Sequence, residues 1–161
     1  MRLPTGARLG PYELLGLLGA GGMGEVYRAR DTRLDRTVAI KVLSEPFAAD
    51  AGRRERFERE ARAVAALNHP HICHLHDVGE APSADVWATS AQPSALSDDV
   101  IRFLVMEHLE GQTLADRLVR GPLPAAEVMR YAVELAGALD HAHRRGLVHR
   151  DLKPGNVMLT K

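Results

Sequence analysis

The chain has 161 residues, 45% of them hydrophobic, which suits one globular domain or part of one. Its 21 basic and 21 acidic side chains cancel, so the charge favours neither nucleic acid nor an anionic membrane as the main partner. No apolar run reaches the length of a membrane span and residues 1–10 lack the apolar core of a secretory signal; with a single cysteine, Cys73, no internal disulfide can form, and a reduced cytoplasmic setting is expected.

Tyr12–Leu18 and Glu25–Ala29 read as the arms of a β-hairpin closed by Gly19-Ala20-Gly21-Gly22-Met23-Gly24. Glycines at this spacing let backbone N–H groups approach phosphates with no side chain in the way. In a dinucleotide-binding unit the same spacing opens a helix, whereas here Val26 leads only to a polar turn at Asp31–Arg36. Thr37–Leu43 is a β-branched strand interrupted by Lys41, and a lysine between apolar neighbours is costly to bury without an anionic partner. Residues 52–67 place Phe57, Ala61, Val64 and Leu67 on one helical stripe with Glu60 at its inward edge, while Glu58 lies about 200° away from Glu60.

Leu67–Ile72 connects onward to a further strand. His69, His71, Cys73, His74 and His76 follow in a turn and a half-exposed strand, where the two imidazoles sharing a face would leave zinc short of ligands. Residues 81–99, rich in Ala, Ser, Pro and Asp, are expected to form an inserted surface loop, with Trp87 either its anchor or the mark of a docking site. Ile101–Leu109 is an apolar strand breaking into a polar linker. Pro124–Arg145 reads as a helix with Val128, Ala132, Leu135, Leu139 and Ala142 on one stripe, Pro124 in its first turn and Gly146 as a left-handed cap. Leu147–Val148 and Val157–Leu159 read as two short strands flanking His149–Asn156 and aiming Asp151 into a cleft.

His149-Arg150-Asp151-Leu152-Lys153-Pro154-Gly155-Asn156 resembles the catalytic loop of protein kinases, Gly19–Val26 their G-x-G-x-x-G-x-V loop, and Val38-Ala39-Ile40-Lys41 their V-A-I-K strand. Together with Val105-Met106-Glu107-His108-Leu109, similar to the fifth strand and hinge, these motifs stand in the family's order over nearly the whole chain. The sequence thus resembles a eukaryotic-type protein serine/threonine kinase of the bacterial branch, Lys153 being the serine/threonine form of the loop. The resemblance implies an α+β, protein-kinase-like fold. Residues 12–107 would form a complete N-terminal lobe of antiparallel sheet and helix C, 108–111 the hinge, and 112–161 the start of the helical C-terminal lobe.

It also implies ATP and Mg2+ as cofactors and a protein with a Ser or Thr acceptor as substrate. Leu18, Gly19, Ala20, Gly21, Gly22, Met23, Gly24 and Val26 would cover the nucleotide, and Ala39 and Met158 would wall the adenine slot. Lys41 would bind phosphates and pair with Glu60; Met106 would be the gatekeeper, and the backbones of Glu107 and Leu109 would bond the adenine edge. Asp151 would align the acceptor hydroxyl, Lys153 would steady the transferring phosphoryl, and Asn156 would hold the metal.

No D-F-G segment follows Asn156, so the sequence is expected to be a kinase domain cut short after its catalytic loop and inactive alone. A non-catalytic nucleotide-binding or interaction module is the alternative. A small-molecule phosphotransferase of the antibiotic-modifying type shares the fold, but the H-R-D-L-K-P string argues against it.

Overall fold

The computed structural model describes residues 2–21, 24–43, 59, 61–83, 86 and 100–160, which form two compact units, Met1–Ala65 with Leu75–His108 and Ala66–His74 with Leu109–Lys161. The first is built on a six-stranded antiparallel sheet in the order β1-β2-β3-β4-β6-β5. Its strands are β1 (Arg8–Leu9), β2 (Tyr12–Gly21), β3 (Gly24–Asp31), β4 (Arg36–Leu43), β5 (Leu75–Pro82) and β6 (Val100–Glu107).

Side-chain alternation decides which face of this sheet is core. Val38 and Ile40 of β4, Tyr27 and Ala29 of β3, and Phe103 and Val105 of β6 are buried in one cluster, joined by Leu3, Ala7 and Leu9 from the N-terminal segment. Gly79 of β5 makes room for the Phe103 ring, since a Cβ there would sit 2.3 Å from it. The helix expected over 52–67 is described only in part, with 59 and 61–65 helical and Ala66 already in a turn; Phe57, Glu58 and Glu60 lie outside the described residues.

Ala81 and Pro82 still pair with Ile101 and Val100, so β5 runs two residues into the segment read as loop, ending on an edge strand where proline is tolerated. Val86 beyond it is fully buried in the core cluster, while Trp87, expected to be the anchor or to mark a docking site, lies outside the described residues.

Asp31, at the end of β3, is a buried carboxylate. Burial alone would raise its pKa, but the backbone N–H groups of Arg33 and Leu34 donate to Oδ1 at 3.1 and 3.3 Å, and the Arg36 guanidinium lies 3.4 Å from Oδ2. These bonds win, and the carboxyl titrates below its ordinary value. Asp31→Ala should therefore cost roughly 1.5–3 kcal/mol of unfolding free energy at pH 7. Because the folded pKa lies below the unfolded one, the charge-dependent part of that gap is complete above about pH 3.9 and is lost as pH falls through the folded value. Denaturant unfolding of both proteins at pH 7 and pH 3 checks this; a gap undiminished at pH 3 would contradict it.

The second unit contains β7 (Gly111–Thr113), α1 (Leu114–Leu118), α2 (Ala125–His143), a 3-10 turn (Pro154–Asn156) and β8 (Met158–Thr160). Thr113 caps α1: its hydroxyl accepts the Asp116 N–H at 3.0 Å and the Asp116 carboxylate accepts the Thr113 N–H at 3.3 Å. Pro124 stands just outside α2 as its N-cap rather than in its first turn.

The two strands expected around the catalytic-type loop are not both formed. Gly146 takes φ +74, and the N–H groups of Gly146 and Leu147 donate to the carbonyls of His143 and Ala142 at 2.9 and 3.1 Å. Leu147 is thus consumed in closing the helix and Leu147–Val148 is irregular. The strand after the loop begins at Met158 and pairs with β7, so Gly111, read as hinge, is strand. On α2 the expected stripe is half-buried only at Leu135, Leu139 and Ala142, whereas Val128 and Ala132 are exposed. His69 packs its ring against His141 of α2 at 5.1 Å. Among the described residues no group of three or more His, Cys, Asp or Glu side chains is placed to hold a metal, and no helix is long and apolar enough to cross a membrane.

Candidate active site

The candidate residues fall on both units. In the first, strand pairing continues into the glycines instead of stopping at Leu18 and Glu25: Gly19 pairs with Val26, Ala20 with Glu25 and Gly21 with Gly24. The register shifts between Leu17 and Gly19, so exposed Leu18 occupies a bulge. Gly22 and Met23 lie outside the described residues. Gly24 is the position that only glycine can fill. It has φ +125, and a Cβ there would lie 2.0 Å from the Val42 carbonyl oxygen, a backbone atom that cannot move without opening β4.

Register then gathers the other nucleotide-side candidates on the sheet face away from the core. Ala39 pairs with Met106, Lys41 with Leu104 and Val26 with Lys41, so these side chains share one face. Lys41 is half-buried there. Its expected partner Glu60 is outside the described residues. Glu107 ends β6, exposed, opposite Val38.

In the second unit Leu109 lies half-buried just before β7, and Met158 opens β8 opposite Thr113. The loop between α2 and β8 brings Asp151, Lys153 and Asn156 into direct contact. The Lys153 ammonium lies 2.9 Å from Asp151 Oδ2, and the Asn156 side-chain amide donates to that same oxygen at 3.0 Å and to the Asp151 carbonyl at 2.8 Å. The Lys153 hydrogen bond first, and that of Asn156 next, hold the Asp151 carboxyl below its ordinary pKa. Both contacts fall on Oδ2. The Asn156 amide nitrogen is turned to Asp151. The far end of the loop is anchored by the Leu114 N–H, which donates to the Val157 carbonyl at 2.8 Å.

Two residues of this loop carry roles that sequence reasoning did not assign. Arg150 takes φ +59, and the Asp151 N–H closes back on the His149 carbonyl at 2.8 Å, a three-residue turn with the positive φ of the rare, strained form. The His149 ring nitrogen Nδ1 lies 3.4 Å from the same N–H. Strain of this kind is held only where the surroundings over-determine it. The H-R-D string marked the place; the backbone conformation carries no pattern in the sequence.

A family model described as protein kinase domain matches residues 12–161. The chain is 41% identical over 162 residues to a probable serine/threonine-protein kinase PknB of Bifidobacterium longum, covering 99% of this chain and 22% of that protein. It is 43% identical over 150 residues to the serine/threonine-protein kinase PknB of Mycobacterium leprae, covering 92% of this chain and 22% of the relative. The PknI kinase domain of Mycobacterium tuberculosis, solved as a C20A mutant, superposes with a TM-score of 0.80 at 37% identity, covering 99% of this chain and 59% of that one. The chain therefore spans about a fifth of the length of these curated relatives and somewhat over half of the solved domain.

Proposed function

Because the chain belongs to the protein kinase family, we propose that it carries the nucleotide-binding strands and the catalytic loop of a serine/threonine protein kinase. The observation that carries this reading is the contact of Asp151, at the end of a strained turn, with Lys153 and Asn156. Asp151, kept ionised, orients the acceptor hydroxyl of a protein Ser or Thr and takes its proton as the oxygen bonds to the γ-phosphorus of ATP and the β–γ bridging bond breaks. Lys153 stands beside that carboxylate, where its charge offsets the negative charge on the transferring phosphoryl oxygens.

The nucleotide would lie under the backbone of Gly19–Gly21 and Gly24, on the sheet face of Val26, Ala39 and Lys41. Met106 would stand behind the adenine, and the backbones of Glu107 and Leu109 would bond its edge. Lys41 would contact the phosphates and be steadied by Glu60. Magnesium, when bound, would neutralise phosphate charge, and Asn156 would be among the residues that hold it. A reduced cytoplasmic setting belongs to the same proposal and rests on the single cysteine.

Since the chain spans 59% of the solved PknI domain, transfer is best measured on a chimera of residues 1–161 with the rest of that domain. Incubated with γ-labelled ATP, magnesium and a basic protein acceptor, it should yield phosphoserine or phosphothreonine. Nucleotide binding without any transfer would favour the non-catalytic module instead.

A further inference from the structure

We propose that Tyr27 is a positioning residue that ties the root of the glycine hairpin to the chain's N-terminal segment, and so sets how tightly the hairpin holds a nucleotide. The inference rests on the nucleotide-binding reading of that hairpin. Residues 3–7 lead into β1, with Leu3, Ala7 and Leu9 buried in the core cluster, the Gly6 N–H donating to the Leu14 carbonyl at 2.7 Å, and the Leu14 N–H donating to the Ala7 carbonyl at 2.9 Å. Tyr27 is 2% exposed, and its hydroxyl accepts the Leu3 N–H at 2.8 Å while donating to the Glu25 carboxylate. One oxygen thereby links a segment 24 residues away to the residue directly after Gly24.

The direction in which Glu25 faces makes this a restraint instead of a nucleotide contact. Glu25 pairs with Val42 and Tyr27 with Ile40, so both side chains share the core face, opposite the face of Val26 and Lys41. The Glu25 carboxylate is turned back onto the phenol, away from any phosphate. Gly24 has no side chain with which to fix the start of β3, and its φ of +125 is open to glycine alone, so the position of the hairpin root depends on its neighbours. Burial first, and the bond to Glu25 next, push the Tyr27 phenol up to about 12, so it stays protonated and keeps donating at neutral pH. Without the hydroxyl the Leu3 N–H loses its acceptor and Glu25 its donor, and the apolar packing of the ring remains.

Tyr27→Phe in the full chain should weaken ATP binding about three- to tenfold, the range of a single ordinary hydrogen bond. Amide hydrogen exchange without nucleotide should accelerate across residues 18–26 while β4 and β6 keep their protection. Glu25→Ala, which leaves the core ring untouched, should reproduce both effects, the double variant should be no weaker than either, and Glu25→Gln, which restores an acceptor, should recover part of the loss. Unchanged ATP affinity in both single variants would overturn the proposal, and so would exchange that accelerates evenly through the whole sheet, the mark of general destabilisation. Failure of the unsubstituted chain to bind ATP would refute the nucleotide reading itself, while the exchange pattern would still decide whether Tyr27 holds the hairpin.

Discussion

Asp151→Asn is expected to lower phosphate transfer by the PknI chimera by about 10²- to 10⁴-fold, the range for removing a positioned base, with ATP affinity nearly unchanged. The substitution keeps the shape of the side chain and removes only its charge and basicity, so the loss measures the carboxylate and not a collapsed loop. The pH dependence supplies a second reading. Lys153 and Asn156 hold the Asp151 carboxyl below its ordinary value, so the base is already deprotonated throughout the range above about pH 3.9. Activity should therefore not fall with a midpoint of pH 5–6 on account of Asp151. Unaltered turnover in Asp151→Asn would remove this residue from the catalytic role.

Lys41→Met is expected to reduce transfer about 10²- to 10³-fold, the cost of removing one preorganised positive donor from developing phosphate charge. Methionine preserves the length of the side chain, so the face shared with Val26, Ala39 and Met106 keeps its packing and the change isolates the ammonium. Glu60→Gln should act through the same ammonium. If the two form a pair, the double variant loses less than the sum of the single losses in measured kcat/KM. Full additivity would leave Lys41 as a phosphate contact without that partner, and no effect of Lys41→Met would sink the nucleotide reading of β4.

How much of this was legible follows from the range of each interaction. Val38 and Ile40 inside, with Ala39 and Lys41 on the opposite face, follow from strand alternation, and the Gly146 cap follows from residue type alone. The H-R-D-L-K-P-G-N string located Asp151, Lys153 and Asn156, and their contacts bear out a shared loop. What stayed hidden depends on partners distant in sequence. Glycines have no side-chain pattern, so nothing local showed strand pairing continuing to Gly21 and Gly24. Leu147–Val148 has the apolar look of a strand, but the Leu147 amide is taken by the end of α2, and β8 finds its partner some 45 residues back in β7, at Gly111–Thr113. The periodicity of α2 marked a face without saying that Val128 and Ala132 would be exposed. The Leu3–Tyr27 bond and the left-handed Arg150 leave no trace in composition or spacing.

The proposed phosphate contact of Lys41, on the sheet face it shares with Val26 and Ala39, can be tested on its own. The sequence has only three lysines, at 41, 153 and 161, which makes a direct measurement available. An ATP derivative bearing an acyl phosphate at its γ end acylates amines that lie against the phosphate chain, and peptide mass analysis reads out the modified positions. Lys41 should be acylated, in a magnesium-dependent manner, with the signal suppressed by excess ATP and Lys161 left unmodified. Labelling that spares Lys41, or labelling of Lys41 that excess ATP does not reduce, would contradict that contact.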